Sequence, residues 1–260
     1  MKFSRLRLRN PLSTNIARPK TNDLPPSFML ITEIFRSLQG EGRLTGAECA
    51  FVRVCGCNLR CGYCDTAYAS WTPEGREMTA AEILERVHEL AIPGPVRHIV
   101  LTGGEPMLFG EIVPLGIALR QAGWHITIET SGTRYLPVAC DLMSISPKLS
   151  NSTPPPDGDP RRVARHEANR HEPQVVGRLI AEYDYQFKFV VGAPADCREV
   201  EDYLAAMPQI DRRRAMLMPQ GVETAALEKI AQWLEPYCAE HGLTFCPRKH
   251  IEWFGAGRGK

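Results

Sequence analysis

Three cysteines, Cys57, Cys61 and Cys64, stand in a C-x3-C-x2-C spacing within GCNLRCGYCDT, a stretch that carries an arginine but no histidine. A closed structural zinc site takes four ligands and a disulfide takes two. Three thiolates so spaced can hold three irons of a cubane iron-sulfur cluster and leave the fourth iron open to a small molecule, whereas clusters that only carry electrons usually take four cysteines. Cys55 and Cys49 could supply a fourth ligand, so a zinc site or a closed cluster stays open as an alternative at this level.

The loop that carries the cysteines follows the apolar run AFVRVC, at a strand end where parallel sheets place ligand sites. Around it, short β-branched runs alternate with helical periods, the pattern of βα units on a parallel sheet. ITEIFRS, AFVRVC, HIVLTGG, HITIETSG, LMSISPK, YQFKFVVG and AMLMPQG read as strands. MTAAEILERVHELA reads as a helix with Thr79 and Glu82 in capping-box spacing, and FGEIVPLGIALRQAG as a helix stopped by Gly123 and bent at Pro114. Further helices are predicted over 194–207 and 223–241, the second closed by Gly242. Residues 151–174, rich in Pro and charge, break the alternation and read as a surface excursion that turns into a helix towards Ile180.

Residues 1–28 hold six Lys or Arg and one Asp, show no hydrophobic period and read as a flexible basic arm ahead of a single domain over 29–260. A transit peptide has the same bias, and a start at Met29 is a further reading. At 260 residues and 43% hydrophobic, the chain can fill one large α/β core. Lys plus Arg number 31 against 30 Asp plus Glu, a balance that argues against nucleic acid or a membrane surface and for small-molecule partners. Nine cysteines, five of them between Cys49 and Cys64, with no apolar segment long enough to span a bilayer, suit a metal site in a reducing, cytoplasmic setting.

The cysteine spacing, with Tyr63 just before the last cysteine, resembles the radical S-adenosylmethionine superfamily, and LTGGEP (101–106), by itself only a Gly-Pro turn, agrees with it. FRSLQGEG, FVRVCGCNLRCGYCDT, TGGEP, ETSGT, SPK, QFKFV, LMPQG and RKHIEWFG, in that order over roughly 29–150 and 183–257, resemble more narrowly the 7-carboxy-7-deazaguanine synthase family of the queuosine and 7-deazapurine pathway. The resemblance implies an incomplete (β/α) barrel of about six parallel strands, often paired as a homodimer. It also implies a 4Fe-4S cluster on Cys57, Cys61 and Cys64, S-adenosylmethionine on the open iron, Mg2+, and a one-electron donor such as flavodoxin or ferredoxin. The implied reaction takes 6-carboxy-5,6,7,8-tetrahydropterin to 7-carboxy-7-deazaguanine with loss of ammonia, started by a radical that removes hydrogen from C6.

Carried onto this chain, the cofactor contacts are Tyr63, Gly104, Glu105, Ser131, Ser146, Pro147, Lys148 and Gln220. The implied substrate contacts are Leu38, Gln39, Gly40, Glu41, Arg53, Thr102 and His250, and Thr66 is the implied Mg2+ ligand. Gln39 and Glu41 offer an amide and a carboxylate from a glycine-flanked loop, and the Arg53 fork suits a carboxylate. Plainer readings stand beside these: Arg53 as a surface ion pair, Asp65 and Thr66 as a helix cap, His250 as structural. Lys188, in mid-strand, points either into the barrel centre or to solvent, and the remaining histidines, among them His166, read as solvated or packing residues. Two rivals frame the reading: a glycyl-radical activating enzyme, which needs a groove for a protein loop, and a non-catalytic iron-sulfur or zinc module, which needs a fourth cysteine.

Overall fold

The computed structural model describes residues 28–92, 94, 97–156 and 159–259. The strands are β1 (Phe28–Leu38), β2 (Glu48–Val54), β3 (Arg76–Thr79), β4 (Arg97–Gly103), β5 (Trp124–Thr130), β6 (Leu142–Ile145), β7 (Tyr185–Val191), β8 (Ala215–Pro219) and β9 (Thr244–Phe245). The helices are α1 (Ala67–Ser70), α2 (Ala80–Glu89), α3 (Ile112–Gln121), α4 (Pro160–Asn169), α5 (Pro173–Glu182), α6 (Pro194–Ala206), α7 (Thr224–Glu240) and α8 (Lys249–Phe254). All nine strands form one sheet in the order β3-β1-β2-β4-β5-β6-β7-β8-β9, with two free ends, so the barrel is incomplete. From β2 to β8 six strands run parallel, and the two-residue β9 continues them.

The first strand departs from the βα pattern. β1 is antiparallel to both β2 and β3. The connection from Leu38 to Glu48 is too short for the dozen or more residues a parallel crossover needs. β3 and β9 were not foreseen, because four and two residues carry too little period to read. Of the expected arm, Phe28 already belongs to β1, and the rest lies outside the described residues.

The predicted helices are present, and the Thr79–Glu82 capping box forms in both directions. Pro114 produces no mid-helix break, since it falls in the first turn of α3, where its missing N–H would have had no intrahelical acceptor. The excursion holds two helices rather than one, and α4 folds back onto the cysteine loop. Helices cover the outer face of the sheet over a core that includes Ile99, Leu101, Ile126, Ile128, Phe187 and Phe189, all fully buried. Each such side chain contributes about 1.5–3 kcal/mol relative to exposure. The inner face, by strand alternation, carries the polar row. Arg53 pairs with Thr102 in register, Glu129 with Ser144, and Ser144 with Gln186, so side chains from five strands stand at one level. Among the described residues no helix is long and apolar enough to cross a membrane.

Candidate active site

A cavity of about 300 Å³ opens at the C-terminal ends of the parallel strands. Cys57, Cys61 and Cys64 line it together, from the loop between β2 and α1. That loop is held by its own backbone. Gly56 N donates to Ala69 O at 2.7 Å, and Glu105 N donates to Gly56 O at 2.9 Å. Gly104 is required by this approach, since a Cβ there would stand 2.0 Å from the Gly56 carbonyl oxygen. Trp71 Nε1 donates to Cys61 O at 3.1 Å, and Cys64 Sγ lies 3.2 Å from Ser70 Oγ. Burial and the nearby Glu105 push the Cys57 thiol up to about 12, and burial lifts Cys61 to about 11, so iron loading must displace protons.

The two candidate fourth cysteines are elsewhere. Cys49 is 0% exposed beside Phe51 and Val100, and Cys55 is 4% exposed against the backbone of Gly75; neither lines the cavity. The donor set therefore fits a three-thiolate iron-sulfur cluster with an open position better than a closed zinc centre.

Nearly all the residues singled out from sequence meet in this cavity: Leu38, Gln39, Gly40, Glu41, Arg53, Tyr63, Thr66, Thr102, Gly104, Ser131, Ser146, Lys148, Gln220 and His250. Glu105 and Pro147 do not. Glu105 is 0% exposed and its carboxylate is saturated from within. It accepts from Thr130 Oγ1 (2.7 Å), Ser131 N (2.8 Å), Ser131 Oγ (2.5 Å) and Met107 N (3.1 Å). Its place is behind the wall, fixing Ser131, because the turn after Gly104 aims the side chain inward. Pro147 is buried between Ser146 and Lys148, which do face the cavity.

The walls are charged and internally paired. Arg53 is no surface pair: its side chain is 15% exposed, and Nε donates to Glu33 Oε1 at 2.6 Å. Among the described residues its two Nη groups donate to nothing, which leaves two donors beside the cavity. Tyr68 OH donates to the same Glu33 oxygen at 2.9 Å. Lys188 points inward, 4% exposed, and donates to Glu41 Oε2 (2.7 Å) and Glu129 Oε1 (3.0 Å). Thr102 Oγ1 donates to Glu129 Oε2 at 2.9 Å. Arg248 donates from Nε to Glu41 Oε1 at 3.3 Å and from Nη2 to Asp65. Burial alone would raise the Glu41 carboxyl, but Lys188, Arg248 and His250 outweigh it and hold Glu41 well below the usual carboxylate range. His250 is pushed down by burial. It packs so closely on Gly40 that a Cβ there would lie 2.5 Å from the His250 ring and backbone nitrogens.

Thr66 occupies the N-cap position of α1 but makes no side-chain cap bond, so its hydroxyl is not consumed by the helix. Sequence reasoning missed Glu33, Tyr68, Asp65, Glu129, Arg248 and the tail over 255–259 as cavity walls. Strand alternation could have found Glu129, which shares a face with Thr127, and left Lys188 undecided only because the inner face of a barrel is not distinguished by period.

A three-cysteine loop at the strand ends of an open parallel barrel defines a class, and residues 51–183 match the radical SAM superfamily, to which this chain belongs. It is 43% identical over 234 residues to a 7-carboxy-7-deazaguanine synthase of Rhodopirellula baltica, covering 90% of this chain and 89% of that one. It is 39% identical over 250 residues to one of Halobacterium salinarum, covering 93% and 96%. The fold is similar to the crystal structure of QueE from Escherichia coli, with a TM-score of 0.62 at 24% identity over 85% of this chain and 93% of that one. The chain is thus an enzyme of the 7-carboxy-7-deazaguanine synthase family, whose radical SAM membership implies a 4Fe-4S cluster and S-adenosylmethionine.

Proposed function

We propose that the chain contracts the ring of 6-carboxy-5,6,7,8-tetrahydropterin to 7-carboxy-7-deazaguanine with loss of ammonia, aided by Mg2+, as a step of 7-deazapurine biosynthesis. Cys57, Cys61 and Cys64 would hold a 4Fe-4S cluster, which with S-adenosylmethionine would supply one-electron reductive radical chemistry directed at C6. The chain's own task is to hold a flat, hydrogen-bonding acid against that source and keep water out. The observation that carries the reading is that the cluster cysteines share one small cavity with a two-donor Arg53 fork, a Thr66 hydroxyl that makes no helix-cap bond and lies 3.8 Å from Cys64 Sγ, and the 39–41 loop.

In this reading the Arg53 Nη groups take the substrate carboxylate, and Thr66 Oγ1 would be the protein's ligand to Mg2+, which would help orient the substrate acid. Glu41 and Glu129, both bonded by the Lys188 ammonium, accept from the N–H groups of the pterin edge, with Gln39, Thr102 and His250 beside them. Gly104, Ser131, Ser146, Lys148 and Gln220 meet the nucleoside cofactor, and Tyr63 and Leu38 supply apolar wall. Anaerobic reconstitution with iron and sulfide, then incubation with carboxypterin, S-adenosylmethionine, Mg2+ and dithionite, should yield 7-carboxy-7-deazaguanine by mass and absorbance. Cleavage of S-adenosylmethionine without that product would assign the chain another substrate.

A further inference from the structure

The described residues from Ser150 through α4 do not line the cavity, yet they are built onto the outer side of the cysteine loop. Gly62 N donates to Ser152 O at 2.9 Å. His166, 1% exposed, accepts at Nδ1 from Arg60 N at 3.1 Å, which leaves Nε2 as the donor towards Ser152 Oγ at 2.9 Å. The Arg162 guanidinium lies 5.1 Å from the ring centroid of Trp71, whose Nε1 holds Cys61 O. α4 is therefore fastened, by side chains it shares with the loop, within a residue or two of Cys61.

The outward face of this helix is cationic. Arg161 and Arg165 are exposed, one turn apart, and their guanidinium groups meet no acid among the described residues. The acids nearby are committed: Asp159 caps the helix through Arg161 N, and Glu167 accepts from Arg170 Nε and Thr153 Oγ1. Two like charges at i and i+4 disfavour a helix. Among the described residues no acid faces them, whereas an acidic visitor would. A carrier delivering single electrons must come close to the cluster, and on this side the surface it meets is α4.

We propose that α4 and the adjoining cysteine loop form the docking face for a small acidic one-electron redox protein. This rests on the radical reading above, since only that chemistry needs electrons one at a time. In the encounter the reduced carrier loses one electron and the cluster passes from the 2+ to the 1+ state, with no bond made or broken at the interface. Such encounters are small and governed by charge, so they are salt-sensitive.

The test pairs the reconstituted holoenzyme with an acidic flavodoxin as the probe. Arg161→Glu/Arg165→Glu should raise the flavodoxin Kd at least about tenfold, the equivalent of one close charge pair. It should also slow cluster reduction by flavodoxin hydroquinone in stopped flow, while turnover driven by dithionite, which needs no docking, stays unchanged. Arg161→Lys/Arg165→Lys should keep binding, and wild-type binding should weaken between about 50 and 300 mM salt. Unchanged Kd and reduction rate in the reversal variant, equal loss in the lysine variant, or a parallel fall in dithionite-driven turnover would each overturn the proposal. Absence of product from the wild type with dithionite would instead sink the functional reading, because docking is read from binding and reduction rate.

Discussion

Replacing Lys188 by Met is expected to destabilise the protein strongly and in a pH-dependent way. The ammonium is 4% exposed and bonds Glu41 at 2.7 Å and Glu129 at 3.0 Å, so its removal leaves two carboxylates in a buried wall without their shared cation. Breaking a buried pair from one side typically costs about 3–5 kcal/mol. Arg248 Nε at 3.3 Å from Glu41, and Thr102 on Glu129, should keep the loss near the lower end. The sign follows from Glu41, whose folded pKa lies below its ordinary value of 4.5. The stability it contributes is present above that ordinary value and is lost as pH falls through the lower folded one. Without Lys188 the largest of the charges opposing burial is gone, so Glu41 moves back up, with Arg248 and His250 still lowering it. Wild type and variant should therefore differ most at neutral pH and converge as acid neutralises Glu41 below about pH 4.5. Urea unfolding of the cluster-free protein from about pH 2.5 to about pH 8 measures this, with an unchanged m-value showing that the compared states are alike. A loss below about 1 kcal/mol at pH 7, or one that does not shrink on acidification, would refute the account of Lys188 as an essential buried counter-charge.

Three other outcomes are expected. Alanine at Cys57, Cys61 or Cys64 should abolish cluster-dependent cleavage of S-adenosylmethionine, while Cys49→Ala and Cys55→Ala keep full iron content; equal iron loss in the latter pair would argue for a fourth ligand. Arg53→Ala should raise the KM for the carboxypterin by a factor equivalent to about 1.5–3 kcal/mol, and Thr66→Ala should blunt activation by Mg2+, whereas a silent Arg53→Ala with Mg2+-independent turnover would count against a carboxylate-metal pocket. Gly104→Ala, whose Cβ would meet the Gly56 carbonyl at 2.0 Å, should lower iron content after reconstitution, and an unaffected iron-to-protein ratio would show that the loop can yield.

Much of this enzyme was legible in the chain because its strongest signals are local. C-x3-C-x2-C sets three thiols on one short loop, and the order of the quoted segments, from FRSLQGEG to RKHIEWFG, marks the family. β-branched runs and a capping box mark strands and helix starts through short-range sterics and hydrogen bonds. What the tertiary structure decided is contact between residues far apart in the chain. Lys188 joins Glu41 across 147 positions, and Arg248 reaches Asp65 across 183. No period announces such pairs, because a strand tells its two faces apart without saying which will close on other strands. The same holds for Glu105, whose motif drew it towards the ligand while backbone geometry turned it inward to hold Ser131. It holds for His166 as well: in a polar, Pro-rich excursion it read as one more solvated or packing histidine, and only the folding back of α4 places its ring against the backbone of Arg60, beside Cys61.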